Sequence, residues 1–174
     1  SAASDVYKRQ ESLLNISKKK NCLTILRTSW LIGPVGKNFL LTILRLLNKE
    51  ESINVVNDQY GSITTTYSLS KIIWRLIDKN NIYSSKDLMF PKLLHWCDEG
   101  KLTWYELALA IRDFGLELEL LNNPAKIIPI NTKDYNFAAK RPPFSVLDCS
   151  DTEKLLGIKK THWRKSLLNI MRTI

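Results

Sequence analysis

Apolar positions along this chain change period several times, and each change marks a predicted element. "CLTILRT", residues 22–28, is a short apolar and β-rich run and predicts a strand. In "KNFLLTILRLLNKE", residues 37–50, Phe39, Ile43, Leu46 and Leu47 recur at helical spacing. "SINVVND" (52–58) predicts a second strand, "QYGSITT" a loop, and "TTYSLSKIIWRLIDK" (65–79) a helix with Leu69, Ile72, Ile73 and Leu76 turned inward. "KLLHWCD" (92–98) is again strand-like. Thr103 followed by Glu106 is a capping box, so a helix is expected from there to about Gly115, a plausible C′ residue. "AKIIPIN" (125–131) predicts a short strand interrupted by Pro129, hence an edge or a strand end. "HWRKSLLNIMRTI" closes the chain with a helix. Strands alternating with helices predict an α/β architecture with parallel pairing, and no internal repeat is evident.

A length of 174 residues suits one domain, or one domain and a piece of another. Hydrophobic content of 44% and charged content of 25% are those of a soluble globular protein. The sequence contains no apolar run long enough to span a bilayer and no signal-peptide pattern. Cys22, Cys97 and Cys149 are widely spaced without a CxxC, which predicts reduced thiols in a cytoplasmic protein and no zinc site. The net charge of +9 raises nucleic acid as a partner, but the basic residues are scattered: Lys18–Lys20, Lys71, Arg75, Lys140–Arg141, Lys159–Lys160 and Arg164–Lys165. No RNA-binding or zinc-finger signature accompanies them, so they are read as solvated helix faces, a few of which would serve a polyanionic ligand such as a nucleotide diphosphate. His95 and His162 stand alone and are read as structural, and Trp74, Trp96 and Trp104 as core-like. The first ten residues, "SAASDVYKRQ", have neither period and begin without methionine; they are read as a non-native tail.

Candidate chemistry gathers around "RTSWLIGPVGKNF", residues 27–39, where a strand turns into a helix. Thr28 and Ser29 sit at a strand's C-terminal end, where α/β proteins bind ligands, yet such hydroxyls also satisfy loop amides. The Trp30 indole offers an apolar face and an N–H donor, or simply fills the junction between sheet and helix. Asn38 begins a helix, as an N-cap or as part of a diphosphate site. In "DQYGSITT", Asp58 and Gln59 follow a strand and Gly61 permits a positive-φ turn; the loop shapes a pocket wall or is a plain crossover. Pro142 and Pro143 hold the chain extended beside Arg141, whose guanidinium suits a phosphate or a surface ion pair.

Four runs in order, "LRTSWLIGPVGKNFLLTILRLL", "VVNDQYGSITT", "LTWYELALAI" and "KRPPFSVLD", carry a resemblance over residues 11–174. The series resembles the C-terminal part of the dTDP-4-dehydrorhamnose reductase family, within the extended short-chain dehydrogenase/reductase superfamily. The resemblance implies the C-terminal part of a Rossmann-type enzyme with its smaller substrate-binding region. In that family an N-terminal Rossmann domain binds NADPH, and hydride goes to the C4 ketone of dTDP-4-dehydro-L-rhamnose. A tyrosine of a Tyr-x-x-x-Lys motif is the general acid. By the same resemblance Trp30 contacts the dTDP-sugar, and Thr28, Ser29, Asn38 and Arg141, by their positions described above, are expected beside it as substrate-binding residues. The family also admits magnesium, for which no site is visible in the sequence, and a homodimer of the full-length enzyme.

The chain departs from the family in three places. Its six glycines (33, 36, 61, 100, 115 and 157) form neither GxxGxxG nor GxGxxG, so no pyrophosphate-cradling turn is present. Tyr7 is followed four residues later by Glu11, not lysine. If Glu11 and Leu14 align with the helix that carries the motif, the lysine falls near position 7, within the tail that has replaced that place. The catalytic dyad is therefore expected to be absent, and the chain alone inactive. Ile63 stands where the family usually has proline. The alternatives are a non-catalytic regulatory subunit, as in the beta subunit of methionine adenosyltransferase, another nucleotide-sugar epimerase or dehydratase relative, and a nucleic-acid-binding module motivated by charge alone.

Overall fold

The computed structural model describes residues 23–85, 90–135 and 141–174, together with Arg9 and Ser12. Tyr7, Glu11, Leu14, Lys18–Lys20, Cys22 and Lys140 lie outside the described residues, as does the ten-residue tail apart from Arg9.

Eight short strands and five helices follow in the order β1 (Ile25–Thr28), β2 (Leu31–Ile32), α1 (Phe39–Lys49), β3 (Ser52–Val56), β4 (Tyr60–Gly61), β5 (Thr64–Thr65), α2 (Thr66–Ser85), β6 (Leu93–Trp96), β7 (Leu102–Thr103), α3 (Trp104–Glu117), β8 (Lys126–Ile130), α4 (Ser150–Leu156) and α5 (Trp163–Met171) among the described residues. Pairing is parallel for β1 with β6, β2 with β5 and β3 with β8, each pair separated by helix-containing connections. The β4–β7 pair alone is antiparallel. The α/β class and the parallel pairing expected from the alternation are both present, although the described strands form two-stranded ladders only. Pro129 lies in β8 opposite Val55, and among the described residues β8 pairs with β3 alone, an edge position as the proline predicts.

Two apolar cores result. In the larger, Leu40, Ile43, Leu44 and Leu47 of α1 meet Leu107, Ala108 and Ile111 of α3, with Ile53 and Ile127 from the β3–β8 ladder and Leu167 and Met171 of α5. Each such leucine or isoleucine contributes about 2 kcal/mol on burial. The smaller core joins Ile72 and Leu76 of α2 to Leu94 and Trp96 of β6, with Phe90, Cys97 and Cys149.

Four expectations change. Ile73 and Trp74 are 42% and 65% exposed, because α2 turns a narrow stripe of Ile72, Leu76 and Tyr83 towards the smaller core. Gly115 is not the C′ residue of α3: the helix continues to Glu117, and Glu119 adopts the left-handed conformation at φ 58°. The chain then folds back so that the Leu120 and Leu121 N–H groups donate to the Gly115 carbonyl, and a Cβ at Gly115 would lie 2.6 Å from Leu121 Cδ1. The segment 59–65 is no plain loop: it holds β4 and β5, and Ile63 and Thr64 are fully buried. Burial of Ile63, with the Asp98 N–H donating to its carbonyl at 2.8 Å, stiffens this connection where a proline ring would otherwise do so. Gly61 has no positive φ; its lack of a Cβ matters because the Trp30 indole packs directly over it.

Candidate functional site

β1 ends at Thr28, paired with Trp96, and the chain then turns sharply through Trp30 at φ 41°, a left-handed conformation unusual for a bulky residue. Two contacts hold it there. The Trp30 carbonyl accepts from Thr64 N–H at 3.2 Å, and the indole stacks on Trp104 with centroids 3.6 Å apart and planes 13° from parallel. Phe39 leans on the far side of the array, 4.6 Å from Trp104 at 45°. Trp104 is the first residue of α3, and the capping box fixes it: Thr103 Oγ1 accepts from Glu106 N–H at 3.1 Å, while Thr103 N–H donates to Glu106 Oε2 at 2.7 Å.

Ser29 Oγ donates to the Ser62 carbonyl at 2.6 Å, tying the end of β1 to the β4–β5 connection. Asn38 caps α1: its Oδ1 accepts from Leu41 N–H at 3.2 Å, and its Nδ2 donates to the Gly33 and Val35 carbonyls at 3.0 and 3.2 Å. Both hydroxyl and amide thus shape the turn itself.

A cleft of about 350 Å3 opens beside this array, lined by Phe39, Asn54, Val56, Trp104, Tyr135 and Arg141 among others. Of the five residues expected from sequence, Arg141 lines it directly. Asn38 adjoins it through Phe39, and Trp30 stands one ring behind, stacked on Trp104. Thr28 and Ser29 are not part of its wall. Trp104, read from sequence as core-like, is only half-buried and faces the cleft; its signal was the tryptophan placed directly after a capping box.

The elements flanking the cleft are clamped from below. Asp58 accepts the Thr132 N–H at 2.9 Å and the Thr132 hydroxyl, and this hydroxyl holds the Asp58 carboxyl below its ordinary range. The buried Gln59 amide donates to the same Thr132 oxygen at 3.1 Å. Asp58 and Gln59 therefore fix the turn that leads to Tyr135. The Arg141 segment is fastened through its prolines: Tyr60 N–H donates to the Pro143 carbonyl and Ser145 N–H to the Tyr60 carbonyl, both at 2.8 Å. Lys101 lies over the Tyr60 ring at 5.1 Å and the Phe144 ring at 5.9 Å.

A second, larger cavity of about 830 Å3 shares no residue with the first and lies between the start of α2 and α5. A Tyr-x-x-x-Lys spacing does occur, at Tyr67 and Lys71, one turn apart on α2, and both residues line this cavity. Tyr67 is 71% exposed, and no glycine loop accompanies the pair. Asp98, also in this wall, is 1% exposed: its Oδ2 accepts from Thr65 N–H at 3.0 Å, while Oδ1 has no partner among the described residues. Burial pushes its carboxyl up, against the hydrogen bonds that favour the anion. His162 accepts from Arg164 N–H through Nδ1 at the start of α5, in keeping with a structural reading. Among the described residues no three His, Cys, Asp or Glu side chains gather to hold a metal, and no helix is long and apolar enough to cross a membrane.

Comparison with known proteins identifies the architecture. The dTDP-4-dehydrorhamnose reductase of Aggregatibacter actinomycetemcomitans is 34% identical over 158 residues, covering 91% of this chain and 52% of the relative. The spore coat polysaccharide biosynthesis protein SpsK of Bacillus subtilis is 34% identical over 158 residues, covering 90% and 49%. A crystal structure of dTDP-4-dehydrorhamnose reductase from Bacillus anthracis in complex with NADP superposes with a TM-score of 0.74 at 29% identity, covering 87% of this chain and 48% of that one. The chain thus spans about half the length of the curated relatives it matches. The family described as the RmlD substrate binding domain matches residues 10–174, and this chain belongs to that family.

Proposed function

We propose that this chain is the nucleotide-sugar-binding part of an NADPH-dependent reductase that converts dTDP-4-dehydro-β-L-rhamnose to dTDP-β-L-rhamnose, in the cytoplasm. The observation that carries the reading is the cleft in which Arg141 shares a wall with Phe39 and Trp104. A flat thymine fits an aromatic wall, and a guanidinium binds a diphosphate through paired N–H donors. Trp30 sets the plane of Trp104 from behind, and Thr28 and Ser29 form the end of β1 that positions it. Asn38 holds the N-terminus of α1, where N–H groups favour negative charge. Family membership supports the same substrate class.

The dinucleotide finds no cradle in these residues, because the six glycines form no phosphate-binding loop. No hydride step is therefore routed through this chain. Its own contribution is to bind and orient the sugar nucleotide, whose reduction depends on a cofactor-binding half outside these residues. A homodimer of the complete enzyme is part of this proposal.

Calorimetric titration of the purified chain with dTDP tests the reading. Saturable binding is expected, weakened roughly tenfold or more by Arg141→Ala and by Trp104→Ala. Inorganic diphosphate binding as tightly as dTDP, or variants that bind unchanged, would overturn it. In parallel, the chain alone should oxidise no NADPH with the 4-keto sugar. Turnover abolished by Tyr67→Phe would instead place catalysis at the second cavity.

A further inference from the structure

Cys97 follows β6 directly, and Cys149 is the residue that precedes α4. Although 52 positions apart, their sulfurs lie 3.5 Å from each other, and both side chains are free thiols buried in the smaller core. Both sulfurs also lie within reach of one carbonyl oxygen, that of Leu147, at 3.9 and 3.8 Å. We propose that Cys97 and Cys149 form an oxidation site, at which a hydroperoxide converts the two thiols into an intramolecular disulfide.

The step balances within the pair and the oxidant. The Cys97 sulfur, as thiolate, attacks the distal peroxide oxygen; the O–O bond breaks, and the alcohol or water leaves with a proton. The resulting sulfenic acid is then attacked by the Cys149 sulfur, which expels hydroxide, and the Cys149 thiol proton leaves with it as water. Each sulfur loses one electron, and the two peroxide oxygens gain them.

Three features suit the pair to this chemistry. A second sulfur already in contact resolves the sulfenic acid before further oxidation proceeds. The roles are also distinct. The Cys149 thiol donating to it, with Lys160 nearby, brings Cys97 down to about 7 against its burial, whereas the contact with Cys97 and burial push Cys149 up. Finally, closing the contact to a bond of about 2.05 Å needs a small backbone adjustment. Residues 145–149 supply it, since they form neither helix nor strand. A local opening of that run admits an oxidant close to water in size.

The test uses the unaltered chain. It is treated with hydrogen peroxide, quenched with catalase, denatured, alkylated with N-ethylmaleimide and mapped by mass spectrometry. The expected product is one peptide pair linked through Cys97 and Cys149, lighter by two hydrogens and separated again by dithiothreitol. With Cys149→Ser, Cys97 should stop at a sulfenic acid trapped by dimedone; with Cys97→Ser, Cys149 should remain alkylatable at the same dose. Oxidation that links Cys22 instead, or leaves Cys97 and Cys149 both alkylatable while methionines oxidise, would overturn the proposal. So would Cys149 reacting as fast in Cys97→Ser as Cys97 does in Cys149→Ser.

Discussion

Trp30 concentrates the residue-scale physics of the molecule. A bulky residue at φ 41° stores about 1 kcal/mol or more of backbone strain, offset here by the stack on Trp104 and the hydrogen bond from Thr64. Removing the half-buried indole as Trp30→Ala should cost about 2–4 kcal/mol, because the ring leaves a gap over Gly61. Trp30→Gly should cost about 1 kcal/mol less, since glycine accepts the left-handed turn freely. Urea denaturation of both variants measures the difference, and equal losses would remove the strain from the account. Asp98 supplies a second test. Its folded carboxyl sits above the ordinary 3.8 of the unfolded chain, so its stabilisation is complete below that pH and declines as pH rises through the folded value. Asp98→Asn keeps an acceptor for Thr65 N–H without the buried charge. Its melting temperature relative to the parent should therefore be more favourable at pH 7.5 than at pH 4, and an equal difference at both would contradict the assignment.

Among elements, α3 depends most visibly on one residue. Thr103 accepts from Glu106 N–H and donates to Asn57 Oδ1 at 3.1 Å, so it caps the helix and joins it to the end of β3. Thr103→Ala should lower stability by about 1–2 kcal/mol, and Thr103→Ser should restore most of it, as chemical denaturation will show. This cap was readable from the sequence because it depends on residues three apart. The far end of α3 was not, because Gly115 is required by Leu121 folding back on it, a contact that no local pattern encodes. β2, β4, β5 and β7, at two residues each, are too short to show any period. The cleft was half-legible for the same reason. Asn38 and Arg141 announced themselves by a helix start and by flanking prolines, whereas Trp104 turned out to be a wall only once Trp30 and Phe39 had been brought against it.

At the scale of the whole molecule, the segment carrying Arg141 is bound to β4, some eighty positions earlier in the chain. Tyr60 N–H donates to the Pro143 carbonyl and Ser145 N–H to the Tyr60 carbonyl across that junction, so any ligand that engages Arg141 should slow amide exchange at both. Hydrogen–deuterium exchange with and without dTDP measures this; protection confined to α2 would point to the larger cavity instead.

The β3–β8 and β1–β6 ladders also differ in how they end. Lys126 N–H donates to the Glu51 carbonyl and the Ile130 carbonyl accepts from Asn57 N–H, so alternate residues of β8 face β3 and Pro129 faces outward. That rim has lost a donor in its middle and is a poor template for another backbone. On β1 the Ile25 N–H donates to Lys92, which by the same alternation turns the Leu26 and Thr28 N–H groups away from β6. Of these two rims, the one beside β1 therefore keeps the regular outward N–H groups that an added strand needs, and the one beside β8 does not.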